Sequence, residues 1–222
     1  MEPITTIQDT KKLQTLKTIR KALLICGILS SLLYIGTDII AAMQWEGYSY
    51  TSQSISELQA IGAPTRPFVV LLFSVYNMLV IAFGLGIWVI DGRKRIRFTG
   101  ILLIGYGIVG DVTLLFFPMH LRGATVKTIS DSMHITFTSV IVLIILLSIV
   151  FGANVHGRWF HLYSIGTILI LILFGALAGL DGPRVAAQLP TPWLGITERI
   201  NIYGYMLWVL VLAVIFLHEQ ND

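Results

Sequence analysis

A short charged connection between two apolar stretches carries the residues best suited to chemistry. This connection, FPMHLRGATVKTISDSMH at residues 117–134, contains His120, Asp131 and His134. Asp131 and His134 are three residues apart, so they share one face of a helix. Two imidazoles and a carboxylate are a common ligand set for zinc or iron. The spacing predicts a metal site formed by these three residues; the alternative is a helix start at which Ser130 or Asp131 acts only as the cap.

A divalent metal such as zinc at this site would support an intramembrane hydrolase. The metal would activate water for attack on a lipid amide or ester, and Glu198 or Asp38 would transfer protons. A haem held between His120 and His134 is a further alternative. The residues therefore leave three kinds of function open: a hydrolase, a haem protein, and a protein that binds a ligand without turning it over.

Two carboxylates lie inside apolar stretches, where charge is costly. Asp38 lies about four residues before the end of the first stretch, and Asp111 lies about 10 Å below the end of the third. An ionised carboxylate at such depth costs about 2.5–3.5 kcal/mol, so we expect Asp111 to face the interior and to have a partner. It is the best single candidate for a functional residue; a purely structural interhelical hydrogen bond is the alternative. Close helix approach is expected at the neighbouring glycines, Gly105, Gly107 and Gly110.

The connection at residues 45–67, WEGYSYTSQSISELQAIGAPTRP, is long and rich in serine, threonine and tyrosine. Ser54 and Glu57 have the spacing of a capping box, which predicts a short helix over residues 54–62. A connection of this length is often a lid or the lining of a pocket. The alternative is an interfacial helix with its tryptophan and tyrosines among lipid headgroups.

Charged residues before the last apolar stretch complete a predicted binding surface. Arg199 can bind a phosphate or carboxylate of a ligand, or pair with Asp38, Asp111 or Glu198. Acids, arginines and tyrosines around an otherwise apolar protein suit a pocket for a small ligand or a lipid headgroup. The predicted ligand-binding residues are Asp38, Glu57, Asp111, Arg122, Glu198 and Arg199.

The composition places all of these residues in a membrane protein. The 222 residues are 55% hydrophobic and 12% charged, with a mean hydropathy of +0.81, whereas soluble domains carry about 25% charged residues. The net charge of +3 does not indicate nucleic-acid binding, because the basic residues cluster beside apolar stretches. A single cysteine, Cys26, excludes an internal disulfide and a thiolate metal cluster.

Six stretches approach or exceed the roughly 20 residues that cross a hydrocarbon core as a helix. The sequence predicts an all-α, polytopic bundle in one domain over residues 1–222, because no repeat or soluble domain interrupts the stretches. The predicted spans are about 22–43, 68–90, 98–117, 135–151, 160–180 and 200–217.

Lysine and arginine counts predict the orientation of the bundle. With both termini in the cytoplasm, ten of the fifteen basic residues lie on the cytoplasmic side, including the cluster GRKRIR at residues 92–97. The positive-inside rule favours this arrangement. The connections at 45–67 and 117–134 are then predicted to face outward.

Three segments together resemble the domain-of-unknown-function 998 family of prokaryotic membrane proteins. They are SISELQAIGAPTRP at 54–67, FPMH followed by SDSMH, and GITERINIYGYMLWVLVLA at 195–213. The resemblance runs over most of the chain in the same order. It implies a six-helix protein of a prokaryotic plasma membrane and supplies no catalytic residues.

Overall fold

The computed structural model describes residues 4–90, 93–124 and 128–220. Within these ranges the chain folds into helices, and six of them are long and apolar enough to cross a membrane. This confirms the predicted fold class. Gly92 of the basic cluster and Lys127 of the 117–134 connection lie outside the described residues.

Each spanning helix begins before the apolar stretch that predicted it, since the polar residues of a first turn carry no hydropathy signal. α4, for example, begins at Ile129 rather than at 135, and α7 begins at Leu194 rather than at 200. The helices are α1 (Ile4–Gln44), α2 (Arg66–Ile90), α3 (Lys94–Phe116), α4 (Ile129–Gly152), α5 (Gly157–Leu180), the short α6 (Gly182–Ala186) and α7 (Leu194–Glu219), with a 3-10 helix at Ile55–Gln59.

The six spanning helices form a ring that is left open on one side. α2 packs between α1 and α3, and α4 packs on the far side of α3. α7 packs between α1 and α5: Ser31 of α1 donates to the Met206 carbonyl (2.9 Å), and the Trp208 indole donates to Ser164 of α5 (3.0 Å). The order around the ring is therefore α4, α3, α2, α1, α7, α5.

α4 and α5 flank the opening. They follow one another in the chain across a short turn at residues 153–156, yet they hardly touch. They are also the least buried spans. In the most apolar 18 residues of each, 17% are buried inside the protein, against 39% in each of the other four spans. The ring thus leaves a gap toward the lipid between these two helices.

Candidate functional site

One end of the bundle is covered by its connections. We call it the capped end and define it by residues 45–65, 117–124 and 181–193. The Ile61 N–H donates to the Met119 carbonyl (2.8 Å), and the Ile196 N–H donates to the Thr51 carbonyl (3.2 Å). The 45–65 connection is therefore fastened to the 117–124 connection and to the start of α7.

Asp38 and Arg199 form a buried ion pair between α1 and α7. The guanidinium meets the carboxylate twice: Nε lies 2.9 Å from Oδ2 and Nη2 lies 2.9 Å from Oδ1. Asp38 is fully buried and Arg199 is 3% exposed. The Tyr203 hydroxyl donates to Oδ2 (2.5 Å) and the Tyr50 hydroxyl reaches it at 3.3 Å. The pairing predicted for Arg199 with Asp38 is present, with geometry that satisfies both groups.

Arg199 also anchors the 45–65 connection. Its Nη1 donates to the carbonyls of Tyr50 (2.8 Å) and Gln53 (3.1 Å), and Nη2 donates to the Tyr48 hydroxyl (2.8 Å). Its guanidinium carbon lies 3.6 Å from the centre of the Tyr50 ring, a cation–π contact. Burial raises the pKa of Tyr48 well above its ordinary value, although Arg199 opposes this, so the phenol stays neutral. A β-carbon on Gly195 would overlap the Tyr50 and Gln53 carbonyl oxygens, so only glycine permits this approach.

A second ion pair joins all three connections. Glu57, 1% exposed, accepts from Arg122 Nε at Oε1 (3.2 Å) and from Nη2 at Oε2 (3.2 Å). Arg122 Nη1 donates to the Thr191 hydroxyl (2.7 Å), which donates to the Ser52 carbonyl (2.9 Å). The capping box predicted for Ser54 and Glu57 is present. It opens a 3-10 helix that is shorter than the predicted helix over 54–62.

His120 and Asp131 meet, but as part of a helix start. The His120 backbone N–H donates to Asp131 Oδ1 (2.7 Å), and the imidazole Nδ1 lies 3.1 Å from Oδ2. The Thr128 N–H (2.8 Å) and hydroxyl (2.9 Å) also donate to that carboxylate. The N-cap of α4 is Thr128, with Asp131 completing its capping box. The expectation of Ser130 or Asp131 as the cap residue was wrong, because the helix begins earlier than hydropathy indicates.

His134 makes its hydrogen bond outside this cluster. Its Nδ1 donates to the Phe117 carbonyl (2.9 Å), which leaves Nε2 as the nitrogen free to accept. No group of three or more His, Cys, Asp or Glu side chains in the described ranges is arranged to hold a metal ion. The structure therefore gives the predicted site of His120, Asp131 and His134, and the hydrolase that depends on it, no geometric support.

Asp111 has the interhelical partner that its depth requires. Asn77 Nδ2 of α2 donates to Asp111 Oδ1 (3.0 Å). A β-carbon on Gly107 or Gly110 would overlap atoms of α2, including the Asn77 amide, so the two helices are as close here as predicted. Gly105 has nothing within 4 Å of a β-carbon position, and its predicted role in close approach was wrong.

The ring encloses a cavity of about 410 Å³ beneath the 3-10 helix. This is within the usual range for ligand pockets, about 300–1,000 Å³. All six spanning helices contribute to its wall. Its polar lining residues are Tyr34, Ser56, Gln59, Tyr76, Asn77, Tyr106, Thr113, His134, Thr138, Ser139, Glu198, Asn201 and Tyr205, and its larger apolar ones are Phe73, Leu114, Ile141, Val142, Ile145, Ile202 and Met206.

The cavity reaches the gap between α4 and α5. Ser139 and Val142 of α4 line the cavity and are exposed on the surface of the bundle. Gly175 and Gly179 of α5 do the same from the other side. All four lie within helices that are long and apolar enough to span a membrane, so the opening lies between two candidate spans.

Two lining residues carry a polar atom without a hydrogen-bond partner among the described residues. They are Tyr205, through its hydroxyl, and Gln59, through Oε1. Both atoms are buried, and a buried polar group without a partner costs about 1–3 kcal/mol. Glu198 is held in place by the Ile55 N–H, which donates to Oε2 (2.6 Å).

A family model for a protein of unknown function, DUF998, matches residues 28–215, most of the chain. The chain belongs to this family. No curated protein and no solved structure shows a significant match. Membership in the DUF998 family agrees with six spanning helices and leaves the activity to be argued from the site.

The structure divides the predicted site residues of this DUF998 protein between two places. Glu198 and His134 line the cavity. His120 and Asp131 form the start of α4. The other predicted residues do not line the cavity and are held in contacts with the protein: Asp38, Glu57, Asp111, Arg122 and Arg199. As ligand contacts, these five and Glu198 remain predictions.

Sequence reasoning missed most of the polar cavity wall. Phenol and amide side chains inside apolar helices could have indicated these residues, since such groups need hydrogen-bond partners in a membrane. Asn77 and Asn201 are the clearest cases: each lies within a spanning helix and lines the cavity. The other missed polar residues of the helices are Tyr34, Tyr76, Tyr106, Thr113, Thr138, Ser139 and Tyr205. Ser56 and Gln59 belong to the 45–67 connection, for which a lid or a pocket lining was one of the two expectations.

Proposed function

We propose that this DUF998 protein binds an amphiphilic molecule, a lipid or lipid-like compound, that enters the central cavity from the bilayer. The observation that carries the proposal is the gap between α4 and α5, beside a partly polar cavity that residues of both helices line. A polar headgroup would lie under the 3-10 helix, and an acyl or prenyl chain would leave between Val142 and Gly179.

The chemistry of the wall supports an amphiphile rather than a water-soluble solute. The side that faces the capped end carries Ser56, Gln59 and Glu198, whereas Ile145 and Met206 provide apolar contacts. An amphiphile satisfies both kinds of surface at once, because its head can accept or donate hydrogen bonds while its chain remains in an apolar surrounding.

The capped end supports lateral access. The 3-10 helix covers the cavity and is fastened by Glu57 to Arg122, and the chain before it is fastened by Arg199. Opening this route from the water would break the Glu57–Arg122 ion pair, a costly step, and the Arg199 hydrogen bonds to the Tyr50 and Gln53 carbonyls. Access between α4 and α5 breaks none of these contacts.

Under this proposal the capped end faces outward in a prokaryotic plasma membrane and both termini are cytoplasmic. The lysine and arginine count favours this orientation. The ligand would then come from the outer leaflet.

The proposal is tested by closing the gap. Gly179 lines the cavity at the gap and has open space at its β-carbon position. Gly166 lies on the same helix, also has open space, and does not line the cavity. We would purify wild type, Gly179→Trp and Gly166→Trp from the same membranes and identify the lipids extracted from each by mass spectrometry.

We expect a defined amphiphile in wild type and Gly166→Trp, enriched over the bulk membrane lipids, and at least a tenfold loss in Gly179→Trp. Identical lipid profiles in all three proteins, without enrichment over bulk lipid, would contradict the proposal.

A further inference from the structure

The cavity wall presents hydrogen-bond acceptors without matching cations. Glu198 Oε2 accepts one backbone N–H, and its carboxylate forms no ion pair in the described part of the chain. His134 uses Nδ1–H on the Phe117 carbonyl, so a neutral ring offers Nε2 as an acceptor.

The other polar groups of the wall are uncharged. Asn77 uses one N–H of its amide on Asp111 (3.0 Å), and Asn201 uses one on the Leu171 carbonyl (2.5 Å). The hydroxyl groups of the wall can donate or accept. The groups that only accept are therefore the Glu198 carboxylate and Nε2 of a neutral His134 ring, and they decide which head fits.

The arginines of the capped end do not supply a cation to the cavity. All three nitrogens of Arg199 and of Arg122 are bound to carboxylates, carbonyls or hydroxyls of the protein. Among the described residues that line the cavity, none is lysine or arginine. Asp111 adds a second carboxyl group behind Asn77, so the surroundings of the cavity disfavour an anion.

We infer that the head of the bound amphiphile is a hydrogen-bond donor without negative charge, either a hydroxyl or an ammonium group. This inference rests on the proposed function and specifies its ligand class. It separates free lipid alcohols and amines from lipids whose head is a phosphate or a carboxylate. An anionic head would leave water and meet acceptors instead of cations, which costs far more than it returns.

A set of probes that differ only in the head tests this. The full chain would be placed in phosphatidylcholine nanodiscs with one of three hexadecyl probes that carry the same photoreactive diazirine. The probes end in an alcohol, an amine or a phosphate monoester. After illumination, peptide mass spectrometry measures labelling of the cavity-lining parts of α4, α5 and α7.

We expect the alcohol and the amine to label these segments at least tenfold more than the phosphate, corresponding to about 1.4 kcal/mol or more. Glu198→Gln should reduce labelling by the amine at least several-fold, because a carboxylate attracts an ammonium group more strongly than an amide does. Glu219→Gln, at an exposed position at the other end of α7, should leave all three unchanged.

The outcomes separate the two claims. Equal labelling by all three heads, or preference for the phosphate, overturns the head-group inference while the cavity still binds amphiphiles. No labelling of the cavity segments by any probe overturns the proposed function itself.

Discussion

Arg199 on α7 and Asp38 on α1 are joined by two parallel hydrogen bonds of 2.9 Å, although they are 161 residues apart in the chain. The same guanidinium holds the backbone of the 45–65 connection through Tyr50 and Gln53. One side chain therefore ties the last helix to the first and fastens the cap beside the cavity. This arrangement is structural, and it explains why a charge is tolerated in an apolar bundle.

Asp38→Asn is expected to lower the free energy of unfolding by about 3–5 kcal/mol, because it leaves the Arg199 guanidinium buried and unpaired. Asp111→Asn is the matched control. An amide there can still accept from Asn77, so we expect a loss of about 1 kcal/mol or less. Thermal unfolding of both variants in mild detergent provides the comparison, and equal stability losses would refute the different roles assigned to the two acids.

Arg122→Ala is expected to release the cap and leave the ring intact. Glu57 would lose its ion pair while 1% exposed, a change of about 3–5 kcal/mol. Hydrogen exchange of residues 45–65 should become faster, with little change in α2 and α3. Arg122→Lys keeps the charge but loses the bidentate hydrogen bonding to Glu57. Hydrogen exchange of residues 45–65 is therefore expected at a rate between those of wild type and Arg122→Ala. Wild-type exchange in the alanine variant would show that Arg122 does not hold the cap.

Gly195→Ala is expected to destabilise the protein even though alanine is the better helix former. The gain in helix propensity is about 0.5–1 kcal/mol, but the new β-carbon overlaps two carbonyl oxygens of the 45–65 connection, and overpacking costs about 1–3 kcal/mol. Gly166→Ala, with open space at the same position, should be neutral or stabilising. Melting temperatures that rise in both variants would exclude the close approach at Gly195.

His120→Ala is expected to weaken the start of α4 without changing metal content. The imidazole holds Asp131 together with Thr128, so its loss should lower the melting temperature by a few degrees. Elemental analysis of wild type and of the His120→Ala/His134→Ala variant, purified without chelator, should give the same zinc and iron per chain. Stoichiometric metal that disappears in the variant would restore the hydrolase, and a haem absorbance band would restore the haem protein.

The orientation predicts which positions a membrane-impermeant maleimide reaches on intact cells. Gln188 is exposed at the capped end, and Asn154 is exposed in the turn at the opposite end. In a Cys26→Ser background, Gln188→Cys should be labelled and Asn154→Cys should not. The reverse pattern would place the capped end in the cytoplasm and assign the ligand to the inner leaflet.

The number and the class of the spanning helices were predictable from sequence, because apolar length is a strong signal in a membrane protein. Helix starts were not, since Thr128 and Asp131 begin α4 through a capping box that hydropathy does not register. The capping box of Ser54 and Glu57 was predictable, because it depends on residues only three apart.

The partners of the charged residues could be predicted only in part. Asp38 was among the partners considered for Arg199, but the pairing of Glu57 with Arg122 depends on how two connections cross, 65 residues apart. The cavity depends on the order of helices around the ring, which no local pattern contains. Glu198 entered the predicted site through its charge, whereas neutral residues such as Tyr205 did not stand out in an apolar helix.

The most direct test of the account is an experimental structure of the full chain in a lipid nanodisc. We expect α4 and α5 to be separated toward the capped end, with elongated non-protein density that runs from Tyr205 and Glu198 through the gap into the lipid. α4 and α5 packed along their whole length around a closed, empty interior would contradict it.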